Sequence, residues 1–258
     1  MSMWSVLFLG LIQGLTEFLP ISSSGHLILL KTWLGLASAG VTLEVALHAG
    51  TLSAIVWVYR DWLGRWVRGL FWGHRAARRI LWQVLIASVP AGAVGLIGGH
   101  WIAEHFTLQA AATGWSLTAA LLWATPPPAA MDQGLLDLTW QQVFGVAVAE
   151  ALALWPGLSR SGATIATARV LGVDPLAAAQ FSFLLAIPVI SGATLMQLPQ
   201  VITSDINLLS LVLAAIIAAV SGIVAIQWVT SVVNRPRAWR WFAVYLAALA
   251  AGVWIFGG

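Results

Sequence analysis

The residues able to do chemistry fall into three groups in an otherwise apolar chain. Gln13 and Glu17 lie four apart and share one face of any helix formed there. Ser22, Ser23, Ser24, Gly25 and His26 follow, bringing three hydroxyls and an imidazole close to that carboxylate. Arg160 stands more than half a chain away, in the run Pro156-Gly157-Leu158-Ser159-Arg160-Ser161-Gly162. Backbone N–H groups at a helix start attract an anion, and serine hydroxyls add donors suited to phosphate oxygens. The planar fork of an arginine grips phosphate through two parallel hydrogen bonds. Carboxylate, serines, histidine and arginine therefore read together as a set for phosphoryl transfer. Plainer explanations stand beside this one: a structural Glu17–Arg160 ion pair, one serine acting only as a helix cap, and His26 as a satisfied buried histidine. Glu44 with His48, and Glu150, are secondary candidates, while Lys31 and Arg169 are expected to snorkel from helix ends to an interface.

The elements that must hold these groups lie in a bilayer. Hydrophobic residues make up 60% of the 258 and charged residues 8%, with a mean hydropathy of +0.90. That leaves too little polar surface to cover a soluble core. The apolar runs are continuous rather than alternating, which favours helices over a β-barrel. The pI of about 10.2 is no nucleic-acid signature, because the basic residues gather in two short stretches between apolar runs. With no cysteine, disulfides and thiolate chemistry are excluded. The first basic residue is Lys31, so the N-terminus lacks the charged start of a signal peptide and is expected to be retained.

Apolar helices are predicted near 4–18, 27–36, 42–58, 81–99, 108–124, 140–154, 164–173, 176–198, 208–229 and 239–256. The second and seventh reach only about 15 Å, half of a hydrocarbon core of about 30 Å. Each follows a Gly/Ser/Pro break after an apolar helix, the pattern of a pair that enters the membrane and turns back. The expected fold is all-α, with six transmembrane helices and two re-entrant helix pairs in one membrane domain.

Sliding the chain against itself aligns Ser22–Gly25 with Ser159–Gly162, an offset of 137, with seven identities over the 24 positions from Gln13 to Leu36. Gln13 falls on Glu150 and Ser23 on Arg160. Three spans per repeat is an odd number, so the halves, roughly 1–125 and 138–258, should be inverted relative to one another. The stretch 60–79 carries six arginines and 235–240 three, while their repeat counterparts, 199–207 and 101–107, carry none. The positive-inside rule makes both basic loops cytoplasmic and sends both termini outward; the loop at 125–139, without Lys or Arg, is silent.

The motifs are similar to those of the undecaprenyl pyrophosphate phosphatase family associated with bacitracin resistance. Gln13-Gly14-Leu15-Thr16-Glu17-Phe18-Leu19-Pro20-Ile21-Ser22-Ser23-Ser24-Gly25-His26 resembles its first motif and Pro156-Gly157-Leu158-Ser159-Arg160-Ser161-Gly162-Ala163-Thr164 its second. Phe181-Ser182-Phe183-Leu184-Leu185-Ala186-Ile187-Pro188 matches as well, and the likeness spans essentially the whole chain. The resemblance implies hydrolysis of undecaprenyl pyrophosphate to undecaprenyl phosphate and inorganic phosphate in a bacterial plasma membrane, at a site opening to the outer side. It implies Glu17 at a metal or in acid/base work, a serine of the triplet or His26 as nucleophile, and Arg160 on the phosphates. Gln13, Ser22, Ser24, Gly25, Ser159, Ser161 and Gly162 are then expected around the substrate. The resemblance also implies a divalent cation, magnesium or calcium, with which hard oxygen ligands are consistent. The expected partners are the prenyl lipid, the bilayer and a second copy in a homodimer, with no nucleic acid. In the expected mechanism Ser23, oriented by His26 and Glu17, attacks the terminal phosphorus; attack by water or by His26 stays open.

Three rival readings compete with this one. Inverted repeats with re-entrant pairs also suit a transporter or lipid flippase, alone or combined with hydrolysis. A second lipid-phosphatase superfamily is mimicked by Ser24-Gly25-His26 and Ser159-Arg160, but its histidine six positions after the arginine is Ala166 here. A bare scaffold leaves Glu17, His26 and Arg160 unexplained.

Overall fold

The computed structural model describes residues 2–36, 41–127, 133–201 and 207–257, so the connections expected at 125–139 and 199–207 fall partly outside the described residues. All regular elements among the described residues are helical: α1 Met3–Phe18, α2 Ser23–Trp33, α3 Val41–Phe71, α4 Arg75–Glu104, α5 Leu108–Ala124, α6 Trp140–Leu152, α7 Arg160–Val170, α8 Pro175–Val201, α9 Leu208–Val232 and α10 Pro236–Phe256, with one 3-10 turn at Leu135–Asp137. The chain is an all-α integral membrane protein. Five helices, α3, α4, α8, α9 and α10, are long and apolar enough to cross a bilayer. The sixth expected span, α5, has 17 residues and reaches about 26 Å, a little under the hydrocarbon thickness.

The short pairs are α1–α2 and α6–α7. Met3 and Trp140, Ser23 and Arg160, and Trp33 and Val170 are each 137 residues apart, so both helices of each pair start, and the second stops, on the spacing read from the sequence. The halves interleave: α1 packs on α9 and α6 on α4, so each pair docks on the fourth helix of the other half, while α3 meets α8 and α5 meets α10. Lipid offers no hydrophobic drive between helices, and close approach at small residues replaces it. A Cβ on Gly14 would sit 2.0 Å from Ser221 Oγ, and one on Gly50 would sit 2.2 Å from the Ala215 carbonyl oxygen.

Several boundaries differ from expectation. α2 and α7 begin at Ser23 and Arg160, four residues before the apolar runs at Leu27 and Thr164. Polar residues read as a break, but Ser22 and Ser159 cap the helices by accepting from the N–H groups of Gly25 and Gly162, so the motif residues form the first turns themselves. The basic stretch 60–79 is not a loop. α3 runs to Phe71 and α4 starts at Arg75, leaving only Trp72–His74 between them, with Gly73 at φ +74° making the turn. Beyond the hydrocarbon the apolar pattern ends, but arginine is a good helix former and nothing stops the helix before that glycine. Likewise the 235–240 stretch is helical from Pro236 onward, proline suiting a first helical position. Arg169 does not snorkel: it is 2% exposed, donates to the Pro126 carbonyl oxygen at 2.7 Å and lies 4.7 Å from the Trp239 ring centre.

Candidate active site

Two chain reversals meet between the halves. α1 ends at Phe18 because Pro20 holds Leu19 extended, and the chain turns through Ser22, which takes φ 67° without being glycine. The second reversal uses Gly157 at φ +80°, where a Cβ would lie 2.1 Å from the Ala111 carbonyl oxygen. Both reversals deliver a helix N-terminus to the same place. The N–H groups of Ser23 and Ser24, like those of Arg160 and Ser161, have no intrahelical acceptor.

Glu17 is the hub. Its Oε1 accepts from Arg160 Nη2 at 2.8 Å, and its Oε2 accepts from Ser23 Oγ at 2.5 Å and from Gln13 Nε2 at 2.9 Å. Arg160 is steadied by donating from Nη1 to the Ser182 carbonyl oxygen at 3.3 Å, and Ser182 Oγ bonds Thr164 Oγ1 at 2.7 Å. The third motif thus serves the site as a backbone ledge for the arginine. Ser24 Oγ accepts from the Gly157 N–H at 3.4 Å, and Ser161 Oγ donates to the Leu19 carbonyl oxygen at 2.8 Å, tying the two reversals across the halves.

A cavity of about 270 Å³ lies over this hub. Its polar end holds Gln13, Glu17, Ser22, Ser23, Ser24, Glu150, Ser159 and Arg160, and apolar walls come from Leu27, Ile28, Phe106, Leu154, Leu158, Val189, Ile190 and Ala193. Lys31, Glu44, His48 and Gln197 complete the lining, with His48 near enough to Glu17 to act on its charge. Lys31 forms an ion pair with Glu44 there rather than snorkelling away. Glu44 and His48 sit at the start of α3, about 35 Å along the helix from the arginine-rich turn at its other end.

Four predicted site residues do not line the cavity. Gly25 packs under Trp115, where a Cβ would fall 2.6 Å from the indole nitrogen. Gly162 is covered by Ser159 and Thr118, and Ser161 is spent on Leu19. Both ring nitrogens of His26 are engaged elsewhere than at Ser23. Its Nδ1 lies 2.7 Å from the Ser22 carbonyl oxygen, which only accepts, so Nδ1 carries the proton and Nε2 accepts from the Tyr245 hydroxyl at 2.7 Å. The ring stacks on Tyr245 and meets Trp115 edge-on. Tyr245, 219 positions away, carries no local sequence signal, and neither do Trp115 and Thr118.

The model of the bacitracin resistance protein BacA family matches residues 6–252. A curated undecaprenyl-diphosphatase from Desulfatibacillum aliphaticivorans is 36% identical over 267 residues, covering 96% of each chain. Those from Desulforudis audaxviator and Methanobrevibacter smithii are 38% and 33% identical, covering 95% and 100% of this chain and 94% and 98% of their own. Both cavity-forming reversals lie inside a match that runs almost end to end, and the chain belongs to the BacA family.

Proposed function

We propose that the protein is an undecaprenyl-diphosphatase, hydrolysing undecaprenyl pyrophosphate to undecaprenyl phosphate and inorganic phosphate and so returning the lipid carrier to cell-wall synthesis. Support comes from the activity that names its relatives and from a cavity with a cationic, hydroxyl-rich end and apolar walls. That shape suits an amphiphile with an anionic head and a hydrocarbon tail. The transporter reading rests on architecture alone and gains nothing from the named relatives.

The observation that carries the mechanism is the Ser23–Glu17–Arg160 chain of contacts. Ser23 Oγ is already bonded to a carboxylate able to take its proton. As Oγ bonds to the terminal phosphorus, the bond to the bridging oxygen breaks, undecaprenyl phosphate leaves, and the proton passes to Glu17. Glu17 hands that proton to the departing undecaprenyl phosphate and is again a base; water then cleaves the phosphoserine, giving a proton to Glu17 that passes on to the leaving Ser23 Oγ as inorganic phosphate is released. Arg160 and the N–H groups opening α2 and α7 hold the phosphate oxygens, and such positioning and charge neutralisation carry most phosphoryl transfer. His26 acts as a positioning residue, clamping the Ser22 carbonyl so that the turn keeps its positive φ and Ser23 faces the carboxylate.

Among the described residues no group of three or more His, Asp or Glu side chains could hold a metal ion. Glu17 and the Gln13 amide oxygen nevertheless offer hard ligands that fit magnesium or calcium completed by substrate oxygens. Such a cation supplies further neutralisation of the pyrophosphate. On this reading α5 also crosses the bilayer, the halves near 1–125 and 138–258 are inverted, and the cavity faces the outer side of the plasma membrane, opposite the arginine-rich helix ends.

The test is phosphate release from a prenyl pyrophosphate by detergent-purified protein, with Glu17→Gln, Ser23→Ala and Arg160→Met alongside. Release by the wild type and its collapse in all three is expected, with a trapped phosphate mapping to Ser23. Full activity in Ser23→Ala, or a phosphate on His26, overturns the serine route; an inert wild type given magnesium or calcium overturns the whole reading.

A further inference from the structure

Glu150 lines the cavity yet has no part in the reaction just described. It is 1% exposed, and neither of its carboxylate oxygens has a hydrogen-bond donor. In the same cavity Gln13 gives its N–H to Glu17 and is left with Oε1 buried and equally without a donor. Buried acceptors are nearly always satisfied, because stripping one of water without replacing its partner is costly, and more so for a charged group. Three such oxygens around one cavity ask for a shared positive partner.

The side chains on the cavity wall do not provide it. Arg160 attracts Glu150 and Glu17 repels it, but the hydrogen bonds of Arg160 go to Glu17 and to Ser182. Lys31 is paired with Glu44. His48, on α3, acts on the charge of Glu17 but has no hydrogen bond to Glu150 or to the Gln13 amide oxygen. The two orphaned groups are also counterparts: Gln13 and Glu150 stand 137 residues apart, near the inner ends of α1 and α6, so one comes from each half.

The geometry points to Glu150 and the Gln13 amide oxygen as paired ligands of a divalent cation seated between the halves beside Glu17. Both are hard oxygen donors. One or two carboxylates, a neutral oxygen and substrate phosphates are the usual set for magnesium, and calcium accepts the same atoms. The assignment deepens the phosphatase reading and rests on it for the use made of the cation. It also gives the halves different duties: the first supplies the amide and the second the charge.

Manganese, followed by electron paramagnetic resonance in detergent without substrate and competed with magnesium, tests this apart from turnover. Glu150→Gln should weaken manganese binding at least ten-fold, and Gln13→Leu should weaken it measurably. The exchanged pair Gln13→Glu/Glu150→Gln should restore it, since the charge then stands at the equivalent place. Affinity within two-fold of wild type in Glu150→Gln overturns the assignment, whatever phosphate release shows. Should Glu150→Gln fail to fold, unchanged affinity in Gln13→Leu overturns it instead. Loss of binding in Glu150→Gln with no recovery in the exchanged pair refutes the equivalence of the positions. Wild-type protein that binds manganese through Glu150 but releases no phosphate leaves the cation seat standing and removes the phosphatase reading.

Discussion

Replacing Arg160 with methionine keeps most of the side chain's length and removes its charge. Glu17 then loses the donor at 2.8 Å on Oε1 while remaining buried, its side chain only 7% exposed. Breaking a buried pair from one side leaves an uncompensated charge, which costs about 3–5 kcal/mol. For a chain of this length each kcal/mol moves the melting point by roughly 2–4 °C, so a fall of about 6–20 °C is expected. Glu17→Gln/Arg160→Met leaves no such charge, and the amide oxygen that replaces the carboxylate can still accept from Ser23. The double variant should therefore recover about half of that fall, about 1.5–2.5 kcal/mol. Phosphate release should stay at least about 100-fold down in both, since the group neutralising the phosphates is gone from each. Thermal unfolding of the three proteins in one detergent gives the comparison. A single variant that melts with the wild type, or a double variant that melts below the single, refutes the account of Glu17 as a carboxylate held by Arg160.

Chelation with EDTA should abolish phosphate release, and magnesium or calcium should restore it; undiminished release in EDTA removes the cation from the reaction. Gly157→Ala places a methyl 2.1 Å from a backbone oxygen at φ +80°, so it should cost at least about 3 kcal/mol and most of the activity. Gly64→Ala on α3, where a Cβ meets nothing within 4 Å, should be neutral or slightly stabilising, and equal melting of the two would contradict the tight reversal. Tyr245→Phe deletes the donor to His26 Nε2 and should lower stability by about 1 kcal/mol without moving the site of phosphorylation, as read by melting and by peptide mapping.

The parts of the fold legible in the sequence are those that local chemistry decides. α5 has the predicted bounds, because Thr107 caps it and Thr125-Pro126 ends it. The short pairs follow from length, and the 137-residue spacing from the matching serines and glycines. Helix ends beyond the apolar runs escape such a reading, since hydropathy reports where lipid ends and not where hydrogen bonding ends. At the site, Glu17, Ser23 and Arg160 are legible because a carboxylate and a guanidinium at membrane depth need each other. The role of His26 is not, because its partners are a backbone carbonyl and a tyrosine from the last helix, neither of which leaves a pattern near residue 26. Arg169 departs from expectation for the same reason: its carbonyl and its tryptophan come from distant segments.

The two short helices that begin at the centre of the molecule bear on how an inhibitor should be drawn. In the proposed mechanism part of the anion grip is peptide N–H, belonging to the first turns of α2 and α7 rather than to any side chain. Genetic change swaps side chains and leaves those amides in place unless it introduces proline, which would break the turn the enzyme itself needs. A phosphate mimic that leans on these four N–H groups, and only lightly on Arg160, would present a growing population with few escape routes that keep the enzyme working.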